Sequence, residues 1–241
     1  MLAIQTKALT KSYGNICAVS ALDLEVRQGE LFSLLGVNGA GKSTTIKMLC
    51  ALTEPTSGTA AILGCDVVRE RQAVRECINL SPQETAVAPN LTVEENLAFF
   101  AGIYGKEQSS VQDILKKLHL TELAKQKAKT LSGGYQRRLS IAIALVTEPK
   151  VLFLDEPTLG LDVLARRELW SMIRTLRGKT TVILTTHYLE EAEALSDRIG
   201  ILSGGKLVAV GTADELKEKA GTASFEDAFV ALCGKDEDHA L

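Results

Sequence analysis

Gly36-Val37-Asn38-Gly39-Ala40-Gly41-Lys42-Ser43-Thr44 places a glycine, four residues and then Gly-Lys-Ser in an order suited to holding phosphate. Glycines at 36, 39 and 41 let the backbone curl with its N–H groups inward, and no side chain obstructs an anion approaching them. Lys42 offers a point charge to β- and γ-phosphates, and Ser43 offers a hydroxyl to Mg²⁺. The chemistry indicated is binding of a nucleoside triphosphate. The expected contacts are Gly36, Asn38, Gly39, Ala40, Gly41, Lys42, Ser43 and Thr44.

A pair of carboxylates supplies what phosphate binding alone lacks. Asp155 and Glu156 follow the apolar run Val151-Leu152-Phe153-Leu154, at the strand end where open α/β sheets bind ligands. Successive strand residues point oppositely, so one carboxylate is expected to face the Mg²⁺ shell and the other a water aimed at the γ-phosphate. Leu131-Ser132-Gly133-Gly134-Tyr135-Gln136 leads into a helix and suits an anion held by backbone N–H groups and a serine hydroxyl. Leu202-Ser203-Gly204-Gly205 repeats the same four letters, but between two strand-like runs. It is expected to be a hairpin turn.

These groups need a scaffold, and the hydrophobic pattern outlines one. Residues 1 to about 30 alternate apolar and polar positions, as antiparallel strands do. From Leu31 onward short apolar strands alternate with helical segments, the pattern of a mostly parallel α/β sheet. Leu31–Leu35 is the strand entering the phosphate loop, and Ser43–Leu52 is the helix leaving it. Two helical patterns then interrupt the alternation between residues 84 and 131. The second is expected to open on a capping box formed by Ser110 and Asp113. A helix through Leu139, Ala142, Ile143 and Val146 ends before Pro149, and further strands are expected at Val151–Leu154 and Thr181–Thr186. Trp170, Met172, Ile173 and Leu176 recur at helical spacing, so the single tryptophan is expected to pack rather than bind ligand. A capping box at Ser224 opens the last helix. The expected organisation is one domain. Its nucleotide-binding core occupies 1–83 and 132–215, a helical insertion 84–131, and a closing helix with polar tail 216–241.

Bulk properties narrow the function classes. The chain has 241 residues, is 46% hydrophobic and 24% charged, and carries a net charge of −3 without a dense Lys/Arg stripe. That balance argues against nucleic acid as the main partner. Apolar runs fall far short of the ~18 residues expected of a membrane-spanning helix. The first residues show no basic region followed by an apolar core, so a cytosolic location is expected. The five cysteines include no Cys-x-x-Cys pair and are expected to be reduced and mostly buried. The tail Lys235–His239 is expected to fray.

Taken in order and at their spacing, these motifs resemble the ATP-binding subunits of ABC transporters, and the resemblance covers nearly the whole chain. It implies a P-loop NTPase with a mixed, mostly parallel sheet, an N-terminal antiparallel β-subdomain and an inserted α-helical subdomain. Leu131-Ser132-Gly133-Gly134 resembles the family's signature, with Ser132, Gly133 and Gly134 as ATP contacts. Asp155 corresponds to its magnesium aspartate and Glu156 to its catalytic glutamate. Gln83, after Ser81-Pro82, resembles the glutamine loop and joins Ser43 and Asp155 in the implied metal set. Asp162 lies in the likeness of the aspartate loop, His187 in that of the histidine switch, and Tyr13 matches the aromatic that stacks on adenine. Lys42, Glu156 and His187 are then the implied catalytic residues, with ATP and Mg²⁺ as cofactors. Two positions depart from the commonest pattern: Val37 where proline is frequent, and Tyr135 where glutamine often follows the glycines. Neither change removes a phosphate-binding group.

The family implies a head-to-tail pair of nucleotide domains, in which the signature of one subunit completes the phosphate site of the other. One phosphate loop and one signature per chain fit that arrangement. The implied partners are a second ATP-binding subunit and a separate transmembrane permease, through which the protein contacts the cytoplasmic face of the membrane. The run Thr185–Leu195 and the closing helix Ser224–Phe229 resemble the drug, antibiotic and sodium exporter branch. The alternatives are an importer ATPase and a soluble ABC ATPase of the cofactor-assembly type.

Overall fold

The computed structural model describes residues 1–234, and the 235–239 tail lies outside the described residues. Among the described residues, ten strands form two sheets. Strands β1 (Leu2–Tyr13) and β2 (Ile16–Arg27) pair antiparallel. β3 (Leu31–Leu35) then runs into the phosphate loop, and α1 (Lys42–Leu49) leaves it. β4 (Ser57–Ile62) and β5 (Cys65–Asp66) complete a sheet in the order β2-β1-β4-β5. β4 pairs with β1 antiparallel, an addition that the alternation within residues 1–30 does not announce.

After α2 (Arg71–Cys77) and β6 (Ile78–Ser81) come α3 (Val93–Ile103) and α4 (Gln108–Lys117), then α5 (Gly133–Val146) and β7 (Val151–Asp155). α6 (Val163–Arg174), β8 (Thr181–Thr186), α7 (Leu189–Leu195) and the hairpin of β9 (Arg198–Ser203) and β10 (Lys206–Gly211) follow. α8 (Ala213–Ala220) and α9 (Phe225–Gly234) close the described chain. The second sheet runs β10-β9-β3-β8-β7-β6, with β10 antiparallel and the other neighbours parallel.

Every residue of β3 and of β8 is buried, as expected of strands covered on both faces. Alternation assigns the faces. Leu152, Leu154, Val182 and Leu184 pack with α3 to α6, whereas Phe32, Leu34, Phe153 and Ile183 pack toward α1 and the antiparallel sheet. Each such Leu, Ile or Phe contributes about 1.5–3 kcal/mol by leaving water, so the layered core fixes where the strand ends lie. Those ends matter most: β6, β7, β8 and β3 are adjacent, and their carboxyl ends all open on one edge.

Three local expectations are corrected. Leu52 lies beyond α1 and is 58% exposed, because the helix stops at Leu49. Ser110 does not cap α4, which begins at Gln108 after Glu107 without a side-chain cap. The capping box of this region belongs instead to Thr92 and Glu95 at the start of α3. Of the cysteines, only Cys50 is buried, and Cys17 is exposed. The repeated Leu-Ser-Gly-Gly at 202–205 is the hairpin turn between β9 and β10. At Ser224, the hydroxyl accepts from the Asp227 N–H at 3.0 Å, and the indole of Trp170 packs with its N–H 3.0 Å from Glu191 Oε1.

Candidate functional site

The phosphate loop hangs between the end of β3 and the start of α1 in a conformation that only glycine accommodates at two points. A Cβ on Gly36 would collide with the carbonyl oxygen of Leu202. Gly41, at φ +101°, would bring a Cβ within 2.5 Å of the Ala18 carbonyl oxygen. The Gly36 N–H donates to the Thr186 carbonyl, tying the loop to the end of the neighbouring strand.

Lys42, 5% exposed, donates from Nζ to the carbonyls of Gly36 (2.7 Å) and Val37 (3.1 Å), and lies 3.5 Å from Glu156 Oε1. Burial draws its ammonium below the ordinary lysine range, and the charges of Glu156 and Asp155 oppose that shift. Ser43 Oγ donates to Asp155 Oδ1 at 3.2 Å, and the Thr185 hydroxyl donates to the same carboxylate oxygen. Two oxygen-bearing side chains thus converge within reach of one hard cation, which suits Mg²⁺ with its remaining positions filled by phosphate oxygens and water.

Glu156 is aimed differently from Asp155, for a reason other than strand alternation. β7 ends at Asp155, and Glu156 turns at φ +46°, a left-handed conformation costing a non-glycine residue roughly 1–3 kcal/mol. Its N–H donates to the Thr185 carbonyl at 3.1 Å and to the Thr185 hydroxyl at 3.0 Å. The carboxylate then faces Lys42 and His187, with Nδ1 of His187 3.3 Å from Oε1. That contact lacks hydrogen-bond geometry, leaving the buried Nδ1 without a partner among the described residues. A buried polar atom in this position is available to a further group arriving in the cavity.

The cavity measures about 420 Å³ and is lined by Asn38, Gly39, Ala40, Gly41, Lys42, Ser43, Thr44, Gln83, Glu156 and His187, with Ala18 and Leu159 at its rim. Four adjacent strands deliver these groups: Gln83 follows β6, Glu156 follows β7, His187 follows β8 and the loop follows β3. Its size falls within the range of small-molecule sites.

Other expected contacts lie elsewhere. Tyr13 stands at the end of β1, 48% exposed and outside the cavity lining, with Lys11 Nζ 5.1 Å from its ring centroid. Ser132 caps α5 by accepting from the Tyr135 N–H, and Asp162 caps α6 by accepting from the N–H groups of Leu164 and Ala165 at 2.9 Å. These two helix starts meet where a Cβ on Gly134 would sit 3.0 Å from Ala165 Cβ. Gly133, by contrast, faces open space. Ser132, Gly133, Gly134 and Asp162 therefore share one surface, and none of them lines the phosphate cavity.

Three residues escaped the motif pattern. Thr185 holds both acidic residues. Arg137, buried on α5, hydrogen-bonds to the carbonyls of Pro82, Gln83, Asp155 and Pro157. Burial lowers its guanidinium to about 10, so it remains charged at neutral pH. Glu191, fully buried on α7, accepts from Trp170. No spacing signal singled out Arg137, because every residue of α5 from Arg137 to Val146 is buried.

Comparison with known proteins places this geometry among ATP-binding cassettes. The family description "ABC transporter" matches residues 19–159. The chain is 41% identical over 239 residues to the probable multidrug ABC transporter ATP-binding protein YbhF of Escherichia coli (strain K12), covering 95% of this chain and 41% of that protein's length. It is 41% identical over 250 residues to the doxorubicin resistance ATP-binding protein DrrA of Mycobacterium tuberculosis (strain ATCC 25618 / H37Rv), covering 97% of this chain and 75% of that one. Among solved structures, an ATP-binding subunit of an ABC transporter superposes with TM-score 0.85 at 30% identity, covering 95% of this chain and 99% of the other. The ATP-binding cassette MJ0796, seen as a dimer in a post-hydrolysis state bound to ADP and Pi, superposes with TM-score 0.77 at 28% identity, covering 87% and 98%.

Proposed function

We propose, from the premise that this chain belongs to the ABC transporter family, that it binds MgATP at the phosphate loop and hydrolyses it to power a separate membrane protein. The observation that carries the reading is the meeting of Glu156, Lys42 and His187 beside the loop, with Asp155 held on Ser43. Lys42 draws in the β- and γ-phosphates. Asp155 and Ser43 hold Mg²⁺ with Gln83 nearby, and the ion, when bound, neutralises charge developing on the phosphate oxygens. Glu156 orients and deprotonates the attacking water. His187 offers its unpartnered ring nitrogen to the γ-phosphate.

Ser132, Gly133, Gly134 and Asp162 act on a nucleotide held by a second ATP-binding subunit, identical or homologous, since none of them lines this chain's own cavity. ATP then joins two subunits, and loss of its γ-phosphate lets them separate. The dimeric form of the MJ0796 structure supports the arrangement. Tyr13 stacks on the adenine outside the phosphate cavity.

The work is export through a transmembrane permease, a direction supported by the multidrug and doxorubicin-resistance names of the relatives. Contact with the bilayer is made through that permease. No helix among the described residues is long and apolar enough to cross a membrane. Phosphate release by purified chain, alone and beside its permease, tests the reading. Turnover of MgATP that Glu156→Gln lowers about 10²- to 10⁴-fold is expected, and indifference to MgATP in both settings would end it.

A further inference from the structure

The left-handed turn at Glu156 persists only if its surroundings over-determine it, and the carbonyls of the residues before and after it, Asp155 and Pro157, are gripped by one side chain. Arg137 donates from Nη2 to the carbonyl of Asp155 at 2.7 Å and from Nε to the carbonyl of Pro157 at 2.9 Å. The Glu156 carbonyl in turn accepts from the Leu159 N–H at 3.2 Å, closing the turn below the clamp. The other end of the same guanidinium reaches a different segment. Nη1 donates to the carbonyls of Pro82 and Gln83, the latter at 3.1 Å. Four main-chain carbonyls from two loops thus converge on one planar fork, an arrangement that five fixed donors can serve and a lysine ammonium cannot.

We propose that Arg137 is a positioning residue for ATP hydrolysis: it fixes the turn that aims Glu156 and ties that turn to the Pro82-Gln83 segment. The inference rests on the assignment of Glu156 as the group that activates water. Arg137 does not itself line the cavity and reaches it only through the carbonyl of Gln83, so it acts through the main chain around Glu156 and Gln83. It also stands near the start of α5, whose first residues are Ser132, Gly133 and Gly134 as cap and opening turn. A push on that helix start is therefore delivered to Glu156 and Gln83 together, without passing through the nucleotide.

A double-mutant cycle on the full chain tests this. Arg137→Met is expected to lower kcat about 10- to 100-fold, the loss produced by slight misplacement of a reacting group, while the Kd for MgATP stays unchanged. Arg137→Lys, which keeps the charge and loses the fork, is expected to fall between the two, and it carries the same test should Arg137→Met not fold. In a Glu156→Gln background the Arg137 substitution is expected to cost nothing further, since there is no base left to aim. An unsubstituted kcat in both Arg137 variants would overturn the clamp, as would an equal fold-loss in both backgrounds, or a parallel collapse of Kd and cooperative unfolding. If Glu156→Gln lowers turnover as expected and the Arg137 variants do not reduce it, the clamp alone fails. If the unsubstituted chain does not turn over ATP, or Glu156→Gln is indifferent, the hydrolytic reading fails first.

Discussion

The phosphate-loop edge and the signature edge carry similar sequence signals, glycines leading into a helix, yet they are built to opposite ends. At the first, glycines are closed in: a Cβ at Gly41 would strike the Ala18 carbonyl, and Lys42 is buried against the loop's own carbonyls. At the second, Gly133 opens on empty space and the two caps, Ser132 and Asp162, present their helix starts on one shared surface. The difference teaches that one edge closes its glycines against the chain's own carbonyls while the other leaves its helix starts open, as the proposed pairing of two subunits requires.

Breaking the first edge should have the largest effect. Glu156→Gln is expected to lower turnover about 10²- to 10⁴-fold while MgATP still binds, as seen by comparing phosphate release with equilibrium binding. Lys42→Ala removes a buried charge-assisted contact and is expected to weaken MgATP binding roughly 10- to 100-fold, measured by titration calorimetry.

A pair of alanine substitutions sharpens the contrast. Gly41→Ala forces a Cβ into a carbonyl at φ +101° and is expected to cost about 1–3 kcal/mol in chemical denaturation, with loss of nucleotide binding. Gly133→Ala meets no neighbouring atom and sits at a helix start, so stability is expected to hold within about 1 kcal/mol. Its turnover should nevertheless fall, because the methyl group stands on the outward donor face. Equal stability losses at the two glycines would erase the distinction.

The smallest effect concerns pH. Burial pushes the Glu191 carboxyl above its ordinary value of 4.5, against the pull of donors that include Trp170 and of the Arg166 charge. A carboxyl raised on folding contributes stability that is full below 4.5 and is lost as pH rises through the folded value. Glu191→Gln should therefore gain stability relative to the unsubstituted chain as pH rises from 4.5 toward neutrality, and urea denaturation across that window checks it. A constant difference over the window would contradict the sign.

The two edges also differ in how much the chain announced. The phosphate loop, Asp155 and Glu156 were legible because they stand at the ends of buried apolar strands that parallel pairing brings together, whereas His187, after β8, came only from the family resemblance. The adjacency of Gln83 follows from β6 pairing with β7, a long-range register that no local pattern encodes. Arg137 went unnoticed because charge at a helix start suggests solvent, whereas here the side chain is spent on carbonyls of two distant loops. The aim of Glu156 was attributed to strand alternation but arises from its left-handed turn, which depends on Thr185 on a neighbouring strand. The misplaced cap of α4 has a local cause: the helix starts at Gln108, leaving Ser110 inside its first turn, so Ser–Asp spacing alone misjudged the start.

The central claim is that each chain holds one complete phosphate grip and lends its signature edge to another. Mixing a Lys42→Ala chain with a Gly133→Asp chain tests it most directly, since each variant lacks a different half and a mixed pair retains one whole site. The account predicts that the mixture regains MgATP turnover well above the sum of the two variants measured alone. Turnover that stays at that sum, with both chains folded and the unsubstituted chain active, would contradict it.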